Sequence, residues 1–238
     1  MHCGFNIDHY KEIVTKARDE GYLICPIKDY QLNEKHAKKI ILLRHDVDFS
    51  LDFAYDLANI EYDLGVCSTY HIYLHSPTYN ALSPKSIKMI KEIKDMGHEI
   101  GLHAEGDTFD SSIQNEDRLL EFMIGDNIRT YSNHLWNLRK TLKIPYLIHP
   151  NNLTKYHYIS DSGRNWREDC LCKNIGKHNR LHVLIHPEWW VTQADTRAQA
   201  VNRLWLSLEH ALVKEVQEIK EMLIKYVKED LKQKCPAL

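Results

Sequence analysis

The chain has 238 residues, 43% of them hydrophobic and 27% charged, which is enough apolar material for one sizeable core and too much for intrinsic disorder. A net charge of −2 and a pI near 6.7 leave no basic excess with which to neutralise a nucleic-acid backbone, so no nucleic-acid partner is expected. Fifteen histidines against nine glycines raise the question of whether some imidazoles converge on a metal or a proton-transfer site.

The six cysteines, at 3, 25, 67, 170, 172 and 235, contain no CxxC pair, which speaks against a disulfide framework or a zinc finger. The single CxC at Cys170 and Cys172 is a weak soft-metal signal, and structural thiols are the plainer reading. No window reaches the roughly 18 apolar residues of a membrane span, and the amino terminus lacks a charged start followed by an apolar run, so a cytoplasmic location is expected.

Residues 39–45 (KIILLRH) form a short apolar run that suits a buried parallel strand. Ser50 can cap a helix through about Leu64, with Phe53, Ala54, Leu57, Ala58 and Ile60 as its apolar positions and Gly65 as its stop. A strand over 66–74 follows. Ser83 and Pro84 then open a helix carrying Ile87, Ile90 and Ile93, Gly97 closes it, and HEIGLH is the next strand. Further on, 116–124 reads as a helix, and 128–133 and 181–186 as strands. This alternation predicts an α/β architecture, a wound parallel sheet or barrel.

Between Glu188 and Cys235 there is neither Gly nor Pro, and apolar residues from Val201 to Tyr226 recur every three or four positions, which predicts a long amphipathic helix. Packing across the α/β body is the preferred role for its stripe, with a homodimer seam as the other. The expected organisation is one domain over 1–238, with a helical lead-in (1–38), a barrel (39–190) and a C-terminal helix (191–238).

In parallel α/β proteins the ligand site lies at the carboxyl ends of the strands. Here those ends are rich in metal-ligand types: Arg44, His45, Asp46 and Asp48 after the first strand, His71 and His75 on the second, His98, Glu99, His103, Glu105 and Asp107 around the third, then His134 and His186. Buried ionisable groups are costly unless paired or metal-bound, so such a gathering at one end is hard to assign to packing. Asp46 and Asp48, two residues apart, suit a division into general base and metal ligand, although Asp48 could equally cap the helix that follows. His71 and His75 read as pocket lining.

RHDVDFS, STYHIYL and GHEIGLH, in this order, resemble the polysaccharide deacetylases of carbohydrate esterase family 4, in particular a divergent branch associated with surface-polysaccharide biosynthesis, over roughly 5–190. The resemblance implies a distorted (β/α) barrel of about seven strands and a divalent metal, usually zinc, that activates water against an N-acyl group. It places the general base at Asp46, metal ligands at Asp48 and His103, and the leaving-group acid at His186. The family's second metal histidine falls on Asp107, which leaves the third ligand to His134, Asp107 or Glu105; His134 is preferred because it restores an Asp-His-His set. The family's arginine that holds the base has no clear match, and Arg44 or Arg164 can take its place. Arg44, His45, His71, His75, Asp161, Arg164 and Trp166 are expected to bind substrate, and Trp189 and Trp190 to stack on it or pack in the core.

The implied activity is hydrolysis of an amide on an N-acylated sugar or sugar precursor, a small carbohydrate or nucleotide-sugar being the expected partner. The competing expectation is a metal- or sugar-binding relative that has lost hydrolysis. A metal-dependent phosphoesterase would need a second metal site and a Gly-rich anion-binding turn, neither of which is clear.

Overall fold

Strand β2 (Lys39–Val47) organises the molecule, and its residues explain why. Seen in alternation, Ile40, Leu42, Arg44 and Asp46 share one face, apolar at the start and charged at the end, while Ile41, Leu43, His45 and Val47 share the other. A computed structural model describes residues 3–104, 110–134, 147–149 and 153–234, with side chains given outside 110–112 and 230–234.

Helix α1 (Ile7–Asp19) is capped by Asn6, whose side chain accepts from the His9 amide at 2.9 Å. Strand β1 (Tyr22–Cys25) and the short helix α2 (Tyr30–Asn33) precede β2. Then come α3 (Leu51–Asp63), β3 (Thr69–Tyr73), α4 (Pro84–Asp95), β4 (Glu99–Ala104), α5 (Asp110–Ile124) and β5 (Tyr131–Asn133). Strands β6 (His157–Ser160) and β7 (Arg180–Ile185) flank α6 (Leu171–Asn174), and α7 (Pro187–Val191) and α8 (Arg197–Lys234) complete the chain. Ser50 and Ser83 cap α3 and α4 as expected.

All pairings are parallel, in the order β5-β4-β3-β2-β7-β6 with β1 added beside β2. β7 takes residues 40–45 of β2, while β1 pairs with 39–42 and β3 with 44–47, so the latter two share an edge. The result is a curled α/β sheet of seven strands, a distorted and incompletely closed barrel with a long C-terminal helix. Helices α3, α4 and α5 pack an apolar layer on β3, β4 and β5 around Ile72, Ile90, Leu102 and Leu120. Helices α1 and α7 build a second layer on β7 around Tyr10, Leu181 and Trp190. Ile40 and Leu42 fill the inner bottom with Ile27 and Tyr156.

Two expectations are corrected. The lead-in is not wholly helical, because β1 joins the sheet by pairing in parallel with residues 39–42 of β2. Nor does the α8 stripe pack across the body: Ala200 and Leu204 are buried, but every residue from Glu209 to Glu229 is exposed, including Leu212, Val216, Ile219 and Tyr226. The helix is anchored at its base instead. Thr196 and Gln199 form a reciprocal cap, and Arg203 donates to the carbonyls of Thr192 and Gln193. Among the described residues no helix is long and apolar enough to cross a membrane.

Candidate active site

Parallel register assembles the site in two rows. Asp46 lies opposite His71 and His71 opposite Gly101, so these three point to the same side of the sheet. Two residues further along, Tyr73, His103 and Ser132 form the next row on that side. Asp48 follows the end of β2 and His134 the end of β5, where the His134 amide donates to the Ala104 carbonyl at 2.8 Å.

Asp48, His103 and His134 converge on one point. Asp48 Oδ1 is 3.1 Å from His103 Nε2 and 3.3 Å from His134 Nδ1, and the two ring nitrogens are 3.2 Å apart. This is a nearly equilateral triangle of one oxygen and two nitrogens. A tetrahedral zinc about 2.0–2.1 Å from such atoms separates them by about 3.3 Å, so the three residues fit one face of a metal polyhedron and leave the opposite corner open. The histidine tautomer fits as well. Ser132 Oγ donates to Asp46 Oδ1 at 3.1 Å, so its oxygen accepts from His103 Nδ1 at 2.7 Å, and Nε2 keeps its lone pair for the triangle. Tyr73 stacks on the His134 ring, with centroids 4.4 Å apart, and fixes its plane. Glu105 and Asp107, the other candidates for third ligand, lie outside the described residues.

Asp46 sits beside this triangle but is held by other groups. Arg44 Nη2 donates to its Oδ2 at 3.1 Å, His71 Nδ1 lies 3.3 Å from Oδ1, and His103 Nδ1 is 3.9 Å from Oδ2. Burial alone would raise its pKa; the charge of Arg44, with His103 and His71, outweighs burial and keeps the carboxyl well below the usual range. Burial of Asp48 is likewise outweighed, by the close approach of His103 and His134, and its carboxyl is held below the usual range.

On the other side of β2, His186 follows β7 with Nε2 3.9 Å from Asp48 Oδ2. Its Nδ1 is 2.6 Å from Asp161 Oδ1, its backbone N–H donates to the same carboxylate, and Trp190 Nε1 donates to Oδ2 at 2.9 Å. Burial disfavours a charged imidazole here, but the Asp161 carboxylate overrides it, and with Glu188 and Asp48 it raises His186 to about 10. Burial pushes the neighbouring Glu188 up to about 8, against the pull of His186.

The structure thus brings together Asp46, Asp48, His103, His134 and His186, with Arg44 clamping Asp46 and His71 behind it. Other residues expected to bind substrate are placed elsewhere. His45 alternates with Asp46 and so faces the helices, fully buried, with Nε2 2.9 Å from Glu61 Oε1. Arg164, at φ 58°, donates to the carbonyls of Ala194 and Phe5. Trp166 stacks on Phe5 at 5.8 Å and meets Trp190 edge-on. Asp161 is fully buried and orients His186. His75 stays at the rim, with Nε2 3.4 Å from Glu116 Oε1. Sequence reasoning missed Ser132 and Tyr73, whose only signal is their register with His103.

No family model and no curated protein matches the chain. Among solved structures it is similar to the Streptococcus pyogenes deacetylase PplD in complex with acetate, at 17% identity and a TM-score of 0.43, covering 52% of this chain and 61% of that one. It is also similar to a family 4 carbohydrate esterase from Bacillus anthracis, at 13% identity and a TM-score of 0.44, covering 89% and 90%. The chitin deacetylase of the fungal pathogen Colletotrichum lindemuthianum follows at 16% identity and 0.45, covering 69% and 80%. The chain spans about three fifths of the length of the first of these structures.

Proposed function

We propose that the chain is a metal-dependent amide hydrolase that removes an acyl group from an N-acylated sugar or sugar precursor in surface-polysaccharide biosynthesis, with zinc held by Asp48, His103 and His134. The observation that carries this reading is the placing of an Asp-His-His triangle between a clamped carboxylate, Asp46, and an imidazole held protonated by Asp161. A divalent cation bound there supplies Lewis-acid polarisation of the amide carbonyl and makes water acidic enough to attack near neutral pH.

The chain's own groups divide the two proton transfers. Asp46, ionised because Arg44 faces it, takes the proton of the attacking water. His71 and Ser132 fix its carboxylate through Oδ1. His186, charged at neutral pH, delivers a proton to the departing amine nitrogen, and Asp161 holds its ring for that delivery. These states are complementary, so base and acid are both ready at the same pH.

The test is release of acetate or formate from N-acetylated and N-formylated sugars and nucleotide-sugars. Chelation should abolish it, added zinc or cobalt restore it, and Asp46→Asn lower it about 10²–10⁴-fold while metal stays bound. No release with any metal would defeat the hydrolase reading; metal retained without release would favour a binding protein built on the same site.

A further inference from the structure

A second group of ligand atoms gathers apart from the Asp48, His103 and His134 triangle. Cys3 precedes α1, His9 lies on its first turn, and Cys170 and Cys172 flank the start of α6. Cys3 Sγ is 3.5 Å from Cys172 Sγ, His9 Nε2 is 3.3 Å from Cys170 Sγ, and all four ligand atoms lie within 4.8 Å of one another. A tetrahedral zinc with Zn–S about 2.3 Å and Zn–N about 2.0–2.1 Å separates its sulfurs by about 3.8 Å and sulfur from nitrogen by about 3.6 Å. The two observed distances fall a few tenths of an ångström inside those values.

The surroundings are those of a ligand set. The second nitrogen of His9, Nδ1, is 3.3 Å from Glu12 Oε2, and such a carboxylate directs the Nε2 lone pair toward the sulfurs. Lys16, one turn further along α1, donates to the Cys172 carbonyl at 2.6 Å and ties the helix to that segment. A core of unrelated thiols accounts neither for the convergence of three of the five described free cysteines nor for the histidine aimed among them. A Cys3–Cys172 disulfide would require the sulfurs to close to about 2.05 Å and would leave Cys170 and His9 without a role.

We propose that Cys3, His9, Cys170 and Cys172 form a closed, structural zinc site, separate from the Asp48, His103 and His134 triangle. It staples the segment before α1 to the approach of β7. It also braces the proton donor: the His9 ring stacks on Trp190, centroids 6.3 Å apart, Trp190 donates to Asp161, and Asp161 holds His186. The site does not depend on the hydrolase reading, because its signature is sulfur ligation and not turnover.

The experiment is cobalt titration of the reduced, metal-free full chain. A thiolate-to-cobalt charge-transfer band with intense tetrahedral ligand-field bands should grow to saturation and be bleached by zinc; an Asp-His-His site cannot produce the charge-transfer band. Native mass spectrometry should show one zinc retained in Asp48→Asn/His103→Ala and lost in Cys170→Ser/Cys172→Ser. Cys3 is exposed, so Cys3→Ser should fold and give a weaker band. Absence of the band in the wild-type chain, with zinc leaving thiol alkylation unchanged, would overturn the proposal, as would a Cys3–Cys172 disulfide as the sole state of the protein isolated without reductant.

Discussion

At the scale of single residues, His186 is defined by Asp161. The carboxylate accepts from the ring Nδ1, from the backbone N–H and, through its other oxygen, from Trp190, and so has no freedom to turn away. Its charge lifts His186 to about 10, so the imidazolium contributes stability below the unfolded value near 6.5 and loses it as pH rises through 10. Asp161→Asn keeps the shape and removes the charge. The His186 titration followed by NMR should fall by at least about one unit, and the alkaline limb of the proposed hydrolysis should move down with it. A His186 titration unchanged in that variant would show that Asp161 does not set its protonation.

The residues at this scale were unevenly legible. Asp46, Asp48, His103 and His134 stood out because carboxylates and imidazoles that end apolar strands are costly to bury without a counter-charge or a metal. His45 misled, since adjacency in sequence means opposite faces in a strand. Asp161 was visible as a polar residue, but its partner lies 25 positions away, and no local pattern joins it to His186.

At the scale of elements, Gly101 shows why β3 and β4 can bring His71 under Asp46. A Cβ at this position would lie 2.2 Å from His71 Cδ2 and 2.6 Å from Thr130 Oγ1, so the imidazole occupies the space a side chain would take. Gly101→Ala should therefore displace His71 and cost about 1–3 kcal/mol in denaturant unfolding. The double variant Gly101→Ala/His71→Ala should cost less than the sum of the two single variants, whereas simple additivity would show that the two sites do not collide. Strands β2, β3, β4 and β7 were legible from apolar runs. β1 and β6, four residues each, were not, because runs so short owe their form to the neighbours they pair with.

At the scale of the whole molecule, α8 separates what the chain needs for folding from what it carries outward. At about 1.5 Å per residue its 38 residues span roughly 57 Å, and the part beyond Leu208 buries none of its described side chains on the body. Deleting 209–238 should leave the thermal midpoint of the α/β body within about 2 °C, measured by calorimetry. A larger fall would mean that the outer helix supports the core after all. The periodicity that announced this helix could not tell whether its stripe meets the body, because amphipathicity reports a face and not its partner.

The strand β2 has a consequence of alignment. The Asp-His-His triangle hangs on β2, β4 and β5, and His186 with Asp161 on β7 and β6, so within the sheet the two groups are joined through the six residue pairs between β2 and β7. A slip of one position there would carry His186 about 3.3 Å along the strand and turn it to the opposite face. With Nε2 3.9 Å from Asp48, the site has no tolerance for such a step. That seam sets the spacing of His186 from the Asp48, His103 and His134 triangle.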